Sequence, residues 1–514
     1  MSGRTAIPRS VLAALVAGLP AAPAQAQPGP DRPKEAPPAR ERAPSADAGR
    51  AEQLQQAAFA ALGKGDLAGA EKALREQIAL DPDNFVPYYN LACAKALARE
   101  DAAAIDLLAQ AIDRGFVDRA EMERDDSLAR LRGTPAYRDL VADWTGTLAR
   151  HRDANVERSR ALIKRKVAPV TDEPLRLVYL SAFPEHSFAA AREEVTRLAR
   201  WADAKVFPGI LDPAQNAEDS WVVVVLPARE DFSRWAVAQF GPDVLKGLST
   251  VGGSYSHDDK RLVAQDLGPT LRHEFFHVLH WRSCARLKQR HPAWIQEGLC
   301  SLVEDYDLTP DGSLAPTPSW RTNTVKRMDQ AGLLFPLRKL AGKTRQDFQG
   351  ERRMGLYAQS RGVFLYLYQQ GRLAEWYAAY TQGFAQDSTG VNAIEQVLGA
   401  TPEQFDKDFR AWVRALPTIP EEMRPGMPLL GVEVDAGEGE GPVVRSFQRG
   451  SPPGQERLSP GDVILSINSQ PTRDLPELLR RMGALRPGQT VPVTFRRVKL
   501  IKSIDVKLGE FRGP

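Results

Sequence analysis

The chain has 514 residues, of which 43% are hydrophobic and 26% are charged, and its 68 Lys and Arg residues nearly balance its 65 Asp and Glu residues. This length exceeds one ordinary hydrophobic core, so the sequence predicts a multidomain protein. The charge pattern does not indicate the clustered basic surface that binds nucleic acid, and we expect no nucleic-acid partner.

The N-terminus has the pattern of a secretory signal peptide. Two arginines precede an apolar run at residues 11–19, and "AAPAQAQ" follows with small residues at the spacing of a signal-peptidase site. The run is too short to cross a bilayer. We therefore expect residues 1–26 to be removed, the protein to be periplasmic or secreted, and the mature chain to lack a transmembrane span. Residues 27–49 are rich in Pro, Ala and charge, which predicts a disordered linker.

An internal repeat follows within residues 50–150. Small and large apolar residues return at a constant interval: Ala57, Ala58, Ala70 and Leu74 match Leu91, Ala92, Ala104 and Leu108. The period and pattern resemble tetratricopeptide (TPR) repeats, in which paired helices stack on one another. The resemblance implies TPR-like helical hairpins with a role in protein contact. An ordinary helical hairpin is the alternative.

Residues 170–416 change pattern from strands to helices. "LRLVYLSA" is a short β-rich run, and "SWVVVVLPA" is a continuous apolar run typical of a central strand. "VGGSYSHDDKRLVAQDL" indicates a strand or a hairpin. From residue 270 to residue 416 nearly everything has helical spacing. A sheet followed by helices predicts an α+β domain.

Three of the seven histidines lie within "LRHEFFHVLH". If residues 270–282 are helical, His273 and His277 are four residues apart on one face and can both bind one ion. Glu274 projects at a different angle, where it can act as general base toward a water on the metal. This is the logic of the HExxH motif, and it predicts one Zn²⁺ per chain.

A catalytic zinc site needs a third protein ligand and one open position. The stretch "HPAWIQEGLCSL" offers Glu297 on a second helix, after enough chain for a turn back past the ion. His280 follows His277 by one turn, but a fourth ligand would close the site. We therefore interpret His280 as a packing or supporting residue.

"HEFFH" and "WIQEG" resemble the gluzincin zinc metallopeptidases, most closely their bacterial peptidase-MA-like branch. The resemblance implies a thermolysin-like α+β domain in which His273, His277 and Glu297 are the zinc ligands and Glu274 is the base. Related enzymes add a Tyr or His from a later helix to stabilise the oxyanion, and Tyr357 in "GLYAQSRG" is the candidate. In this family the edge strand before the zinc helix pairs with the substrate backbone.

One position departs from the family pattern. Many gluzincins carry an acid one turn after the ligand glutamate, where this chain has Ser301. Glu304 is the next acid and lies near the same helix face. It can orient a ligand histidine, although a solvated helix acid is the favoured interpretation.

The C-terminal part returns to short strands. Residues 417–427 are Pro-rich and predict a hinge that lets the following module move. "LLGVEV" and "PGDVILSINSQP" within residues 428–512 closely resemble a PDZ domain of the bacterial protease-associated type. The resemblance implies that the backbone of one loop holds a peptide carboxylate, the loop formed by Leu429, Leu430, Gly431 and Val432. A PDZ fold that only packs on its neighbour is the alternative.

The cysteines are Cys93, Cys284 and Cys300. This odd, small number argues against a disulfide framework, and pairing of Cys284 with Cys300 stays open. Together the features predict an exported zinc metallopeptidase that cleaves protein or peptide substrates, with TPR and PDZ modules that recruit substrates or partners. The alternative is a catalytically inactive envelope scaffold that binds peptides through those modules.

Overall fold

The computed structural model describes residues 48–163, 166–213, 220–227, 231–242, 244–245, 252–448 and 458–513. The predicted signal peptide and nearly all of the predicted linker lie outside these residues. Within them, no helix combines the length and the apolar character that crossing a membrane requires.

The N-terminal region is helical. Its helices are α1 Ala48–Gly63, α2 Leu67–Leu80, α3 Phe85–Leu97, α4 Asp101–Asp113, α5 Arg119–Arg124, α6 Pro135–Val141 and α7 Trp144–Leu162. Local polar side chains set where the helices begin. Asp66 accepts a hydrogen bond from Gly69 N at 2.9 Å, and Asn84 accepts one from Val86 N at 3.0 Å. These caps satisfy backbone donors that a helix start otherwise leaves free.

Helices α1 to α4 pack on one another in chain order around one core. The small and large residues of the repeat form that core, with Ala70, Leu74, Ala104 and Leu108 all fully buried. Ala57 is the exception, because it is exposed while the neighbouring Ala58 faces inward. Adjacent residues on a helix point in different directions, so only one of the two alanines can lie on the packed face.

A five-stranded sheet begins the central region. Its strands are β1 Val170–Asp172, β2 Leu177–Ser181, β3 Trp221–Val225, β4 Gly253–Ser256 and β5 Arg261–Ala264, in the order β1-β2-β3-β5-β4. The predicted central strand is confirmed, since every residue of β3 is buried and β3 lies between two parallel neighbours. The predicted hairpin is β4 and β5, and β4 ends the sheet order.

Helices dominate the rest of the central region. They are α8 Glu185–Lys205, α9 Ser233–Phe240, α10 Pro269–Leu287, α11 Ala293–Leu302, α12 Trp320–Gln330, α13 Leu337–Ala341, α14 Arg345–Gln349, α15 Arg353–Gln369, α16 Leu373–Gln382, α17 Val391–Leu398 and α18 Pro402–Ala415. The expectation of helix from residue 270 onward missed one hairpin, formed by β6 Tyr306–Leu308 and β7 Leu314–Pro316. Strands of three residues carry too little periodicity to be recognised in a sequence.

The C-terminal region is β-rich. Its elements are β8 Pro428–Leu429, β9 Val432–Asp435, β10 Val443–Phe447, β11 Val463–Ile467, β12 Gln470–Pro471, α19 Leu475–Gly483, β13 Thr490–Arg497, β14 Leu500–Lys507 and β15 Gly509–Glu510. The main sheet has the order β14-β13-β11-β10-β9, and α19 contributes Leu478 and Met482 to its core. The molecule is therefore a mixed α+β protein with a helix-rich N-terminal part and a β-rich C-terminal part.

Buried charges join the C-terminal region to the central region. Arg473 Nε donates to Glu194 Oε1 on α8 at 2.9 Å. Arg272 on α10 lies 3.2 Å from both Glu194 and Glu477 of α19. All four side chains are at most 5% exposed. Charges this deep are stable only when they are paired, so the two regions depend on each other here.

A second group of contacts lies around the hairpin β6–β7. Arg480 and Arg481 of α19 both donate to Tyr306 O, at 2.8 and 2.7 Å. The predicted hinge at residues 417–427 also contacts the central region. The Asn323 side-chain amide accepts a hydrogen bond from Ile419 N at 3.0 Å and donates one to Ile419 O at 2.7 Å. The predicted hinge thus precedes a module that packs firmly on the core, whereas the Pro-rich sequence suggested a module that moves.

Candidate metal centre

Helix α10 carries the HExxH residues, and its start is fixed locally. Pro269 occupies its first turn, where a missing N–H costs nothing. Asp266 accepts hydrogen bonds from Gly268 N at 2.9 Å and from Thr270 N at 3.0 Å. The helix then runs five residues beyond the predicted end at residue 282, to Leu287. His273 and His277 lie on one face of it, as the spacing predicted.

Glu297 on α11 meets both imidazoles. Its Oε2 lies 3.3 Å from His273 Nε2 and 3.4 Å from His277 Nε2. This oxygen is buried and accepts no hydrogen bond. A buried carboxylate oxygen without a donor is costly unless a cation satisfies it. The structure therefore brings the three residues together around one point.

Two of the separations fit a tetrahedral metal ion. Two ligand atoms that each lie about 2.0–2.1 Å from a tetrahedral zinc are about 3.3–3.4 Å apart. The distances of 3.3 and 3.4 Å from Glu297 to the two histidines match that edge length. Two imidazoles and one carboxylate also form the donor set of a catalytic zinc site, which leaves the fourth position open.

The Cys300 thiol is a competing donor that the sequence analysis did not consider. Its sulfur lies within 4.8 Å of the ligand nitrogens of His273 and His277. Burial, together with the charges of Glu297 and Glu274, raises the pKa of Cys300 well above its usual range. Burial acts on Glu297 in the same direction, but the two imidazoles outweigh it and hold the pKa of that carboxyl well below its usual range. Glu297 is thus the ionised donor.

Glu304 orients His273. Its Oε1 lies 2.9 Å from His273 Nδ1, and Arg321 donates to both oxygens of the same carboxylate at 2.5 and 2.9 Å. The interpretation of Glu304 as a solvated acid is therefore wrong, because only 6% of the residue is exposed. Burial opposes ionisation, but Arg321 and His273 outweigh it and lower the pKa of Glu304 to about 2. A carboxylate on the far nitrogen fixes the ring and leaves Nε2 facing Glu297.

Negative charge surrounds His273. Burial by itself lowers the pKa of this imidazole, but Glu297 and Glu304 outweigh burial and raise it to about 10. A proton on His273 can partly balance the negative charge of Glu297 and Glu304. A metal ion held by Glu297 and both histidines would balance this negative charge more fully.

Glu274 lies against the edge strand β4. It is 9% exposed, and burial raises its pKa to about 8, with Glu297 and Glu304 adding to the effect. Gly253 of β4 makes this approach possible, since a Cβ on it would lie 2.9 Å from Glu274 Cγ. A carboxylate that titrates near neutral pH is suited to taking up and releasing a proton.

Two tyrosines flank the centre. The Tyr357 ring lies 6.1 Å from the His273 ring, which places this predicted residue at the site. Burial and the charges of Glu297 and Glu274 raise the pKa of Tyr357 well above its usual range, so its hydroxyl stays a donor. Tyr255 of β4 also lies at the site, although it was not predicted from the sequence. Its ring stacks on the His277 ring, with the ring centroids 5.1 Å apart. Its place two residues after Gly253 in the edge strand was the available signal.

The remaining cysteines and histidines lie apart from this set of ligands. All three cysteines are free, so Cys284 and Cys300 do not pair. His280 is 1% exposed, and its ring stacks on Phe207 at 5.3 Å. This packing agrees with the expectation that His280 is not a ligand of the first site.

The centre opens into a cleft of about 950 Å³. Its lining includes His277, Tyr255 and Gln296 of the central region. It also includes four residues of α1 in the N-terminal region, namely Glu52, Gln55, Gln56 and Phe59. The helical hairpins therefore form a wall of the cleft, which the repeat pattern alone did not indicate.

The C-terminal region has a groove of about 380 Å³ between β9 and α19. Its lining includes Leu429, Leu430 and Val432 from the predicted carboxylate loop and Leu475, Leu478 and Met482 from α19. Gly431 lies within the loop at φ +78°, a conformation that glycine adopts without strain. Glu421, Glu422 and Glu433 also line this groove, so its rim is acidic.

Comparison with known proteins identifies the C-terminal region. Residues 428–508 match the PDZ domain family, so the chain contains a PDZ domain. The chain is also 36% identical over 72 residues to a probable periplasmic serine endoprotease, DegP-like, of Rhizobium meliloti (strain 1021). That match covers 14% of this chain and 14% of the relative, so the chain spans only a small part of that protein.

Two solved structures share limited likeness with the chain. The HtrA-type protease AlgW with decapeptide is 30% identical over 17% of this chain and 30% of its own, with a TM-score of 0.16. The aminopeptidase N family protein from Idiomarina loihiensis is 11% identical over 67% of each chain, with a TM-score of 0.26. At these scores neither structure supports an argument about the metal centre. The chain is thus a mixed α+β protein with a C-terminal PDZ domain and a buried His, His and Glu cluster beside a cleft.

Proposed function

We propose that the protein is a zinc-dependent metallopeptidase with a thermolysin-like, gluzincin-type central domain at residues 170–416. One observation supports this most strongly. The buried Oε2 of Glu297 has no hydrogen-bond donor and lies 3.3 and 3.4 Å from the Nε2 atoms of His273 and His277. These are the ligands that such an enzyme would use to hold one zinc ion.

A zinc ion bound there would supply Lewis-acid chemistry, polarising the scissile carbonyl and making a water more acidic. Glu274 accepts a proton from the attacking water and passes it to the leaving nitrogen as the C–N bond breaks. Tyr357 donates a hydrogen bond to the carbonyl oxygen as that atom gains negative charge. Glu304 keeps His273 in the orientation that the ligand set needs.

The substrate is an extended polypeptide. Strand β4 ends the sheet order beside Glu274, so a peptide can pair with it as an added strand. The wall formed by α1 narrows the other side of the cleft. An unfolded chain, an exposed loop or a free terminus can supply such an extended segment, whereas a packed helix or sheet cannot.

The terminal modules would recruit substrates. The groove of the PDZ domain presents the loop from Leu429 to Val432 to a peptide C-terminus, which would add beside β9. The helical hairpins within residues 50–150 are proposed as TPR-like repeats. Export rests on the signal-peptide pattern of residues 1–26, and the similarity to a periplasmic endoprotease agrees with it.

The catalytic proposal is tested by comparing wild type, Glu274→Gln and His277→Ala. Zinc content by mass spectrometry should be about one per chain in wild type and in Glu274→Gln, and much lower in His277→Ala. Cleavage of casein should fall about 10²–10⁴-fold in Glu274→Gln, because an amide cannot accept the proton. Equal zinc in wild type and His277→Ala would remove His277 from the ligand set. Activity within a few-fold of wild type in Glu274→Gln would remove that residue from its role.

The PDZ proposal is tested on the full-length Glu274→Gln chain, which binds peptides without cleaving them. Calorimetric titration with a peptide library should find micromolar binders, about −6 to −8 kcal/mol, only among peptides with free C-termini. The matched control is the same peptide with an amidated C-terminus. Equal affinity for both forms would contradict the role of the carboxylate loop.

A further inference from the structure

A second cluster of metal-binding side chains lies on the same cleft. His280 and Cys284 are four residues apart on α10, so they share one face of the helix. His291 approaches them from the segment that joins α10 to α11. One ligand atom from each of these three residues lies within 4.8 Å of the other two. All three residues line the cleft, which gives an ion a path from solvent.

We propose that His280, Cys284 and His291 form a second metal site, which binds a zinc-class transition-metal ion independently of the first. Two imidazoles and one thiolate suit borderline and soft cations. Hard cations such as Mg²⁺ and Ca²⁺ prefer oxygen ligands, which this cluster does not offer. Burial raises the pKa of Cys284 to about 12, so the ion has to displace a proton to bind there. Binding forms a metal–sulfur bond, breaks the S–H bond of Cys284 and releases that proton to solvent.

A hydrogen bond from His291 to Gln289 sets which ring nitrogen of His291 carries the proton. Gln289 Nε2 donates to Thr381 O at 2.8 Å, which turns Gln289 Oε1 toward His291 Nε2 at 3.2 Å. Because that oxygen can only accept, His291 carries its proton on Nε2, and an outer hydrogen bond of this kind on the far nitrogen is typical of histidines that bind metal. His291 Nδ1 then accepts a hydrogen bond from His280 Nε2 at 2.7 Å, which a bound ion would replace.

His280 has a lone pair that no donor uses. Its Nε2 lies 2.7 Å from His291 Nδ1, while its Nδ1 is buried and has no hydrogen-bond partner. Leaving a buried polar atom unpaired costs about 1–3 kcal/mol. Burial also lowers the pKa of His280 well below its usual range and that of His291 to about 3, so both rings are neutral and able to bind a cation.

Cobalt substitution tests this proposal, because a thiolate bound to Co²⁺ gives a near-ultraviolet charge-transfer band. The first site as proposed has no sulfur ligand, so the band reports the second site. Titrating metal-free full-length protein with Co²⁺ should show two binding equivalents, one of them with the band. Cys284→Ser should bind one equivalent and lose the band. Cys300→Ser is the matched control and should keep it, although Cys300 lies beside the first site.

His277→Ala separates the two proposals. It should lose one equivalent and keep the band, whether or not the protein proves to be a peptidase. Thermal melting of each variant shows whether it folds, and His291→Gln provides a second route to losing the band if Cys284→Ser does not fold. A single equivalent without the band in wild type overturns the proposal. So does a band that survives Cys284→Ser or disappears in Cys300→Ser.

Discussion

The two ends of the chain are attached to the central region in different ways. The PDZ domain is joined through buried charges, such as Arg272 with Glu477, whose side chains are 1% and 0% exposed. The N-terminal region is joined in two ways. Helix α7 shares a buried core with β2 and β3, and Asn155 donates to Asp259 O. Near the cleft, α5 is joined through more exposed pairs, such as Lys288 with Glu123, whose side chains are 60% and 34% exposed. Buried pairs cannot separate without stranding a charge, whereas exposed pairs separate at little cost.

This difference indicates which part of the molecule can move away from the central region. The PDZ domain and the metal centre form one firmly packed body, because Arg272 precedes His273 and contacts Glu477 of α19. The helices next to the cleft are joined to the central region through more exposed pairs. We therefore expect substrate access to depend on movement of α1 and its neighbouring helices, with α7 and the PDZ domain staying in place.

Glu194→Ala is expected to have the largest effect. It leaves Arg272 and Arg473 buried without their shared carboxylate, and breaking a buried pair in this way costs about 3–5 kcal/mol. The free energy of unfolding, measured by denaturant titration, should fall by that amount. Glu194→Gln is the closest variant in shape and should also lose most of the stability. A loss below about 1 kcal/mol would remove the distinction between the two attachments.

Acid should weaken the PDZ attachment first. Burial raises the pKa of Glu194, but Arg473 and Arg272 outweigh burial and lower it. A carboxyl with a lowered folded pKa contributes stability above its unfolded pKa of about 4.3, and this contribution is lost as pH falls through the folded pKa. The protection of α19 against hydrogen exchange, relative to the intrinsic exchange rate at each pH, should therefore fall below about pH 4. The protection of α19 in Glu194→Gln should depend less on pH over this window.

Glu52→Arg probes the wall of the cleft. Glu52 is exposed on α1 and lines the cleft, so its replacement should leave the fold unchanged. A basic peptide substrate should bind about fivefold more weakly, on the order of 1 kcal/mol, with kcat unchanged. Asp106→Arg makes the same charge change at an exposed position of α4 and should not alter KM. Equal effects of both variants would mean that α1 does not contact substrate.

Glu123→Gln should have the smallest effect. It removes the pair with Lys288, whose atoms lie 3.5 Å apart at the surface, and exposed pairs contribute about 0–1 kcal/mol. Hydrogen exchange of α1 and α5 should rise slightly, and added salt should produce the same rise in wild type. A destabilisation as large as that of Glu194→Ala would contradict the comparison between the two attachments.

The sequence predicted what depends on local spacing. The spacing of four positions from His273 to His277 fixes a shared helix face. The resemblance of "LLGVEV" and "PGDVILSINSQP" to known PDZ domains indicated the C-terminal domain. The sequence did not predict features that depend on contacts between residues far apart along the chain. Nothing near Glu304 in the sequence shows that it pairs with Arg321 or that it contacts His273. Tyr255 and the wall formed by α1 were missed for the same reason, since both lie far along the chain from the residues that they meet.

Helix α19 lines the groove of the PDZ domain with one face and contacts the central region with another. These two sets of contacts limit how the domains can be exchanged with those of other proteins. Leu478 and Met482 face the peptide groove, while Glu477, Arg480 and Arg481 face the central region. A PDZ domain transplanted from another protein would bring a suitable groove but different charges on its opposite face. Arg272 would then lose Glu477, and Glu194 would lose Arg473. Domain exchange in this protein therefore requires that the residues on both faces of one short helix be kept.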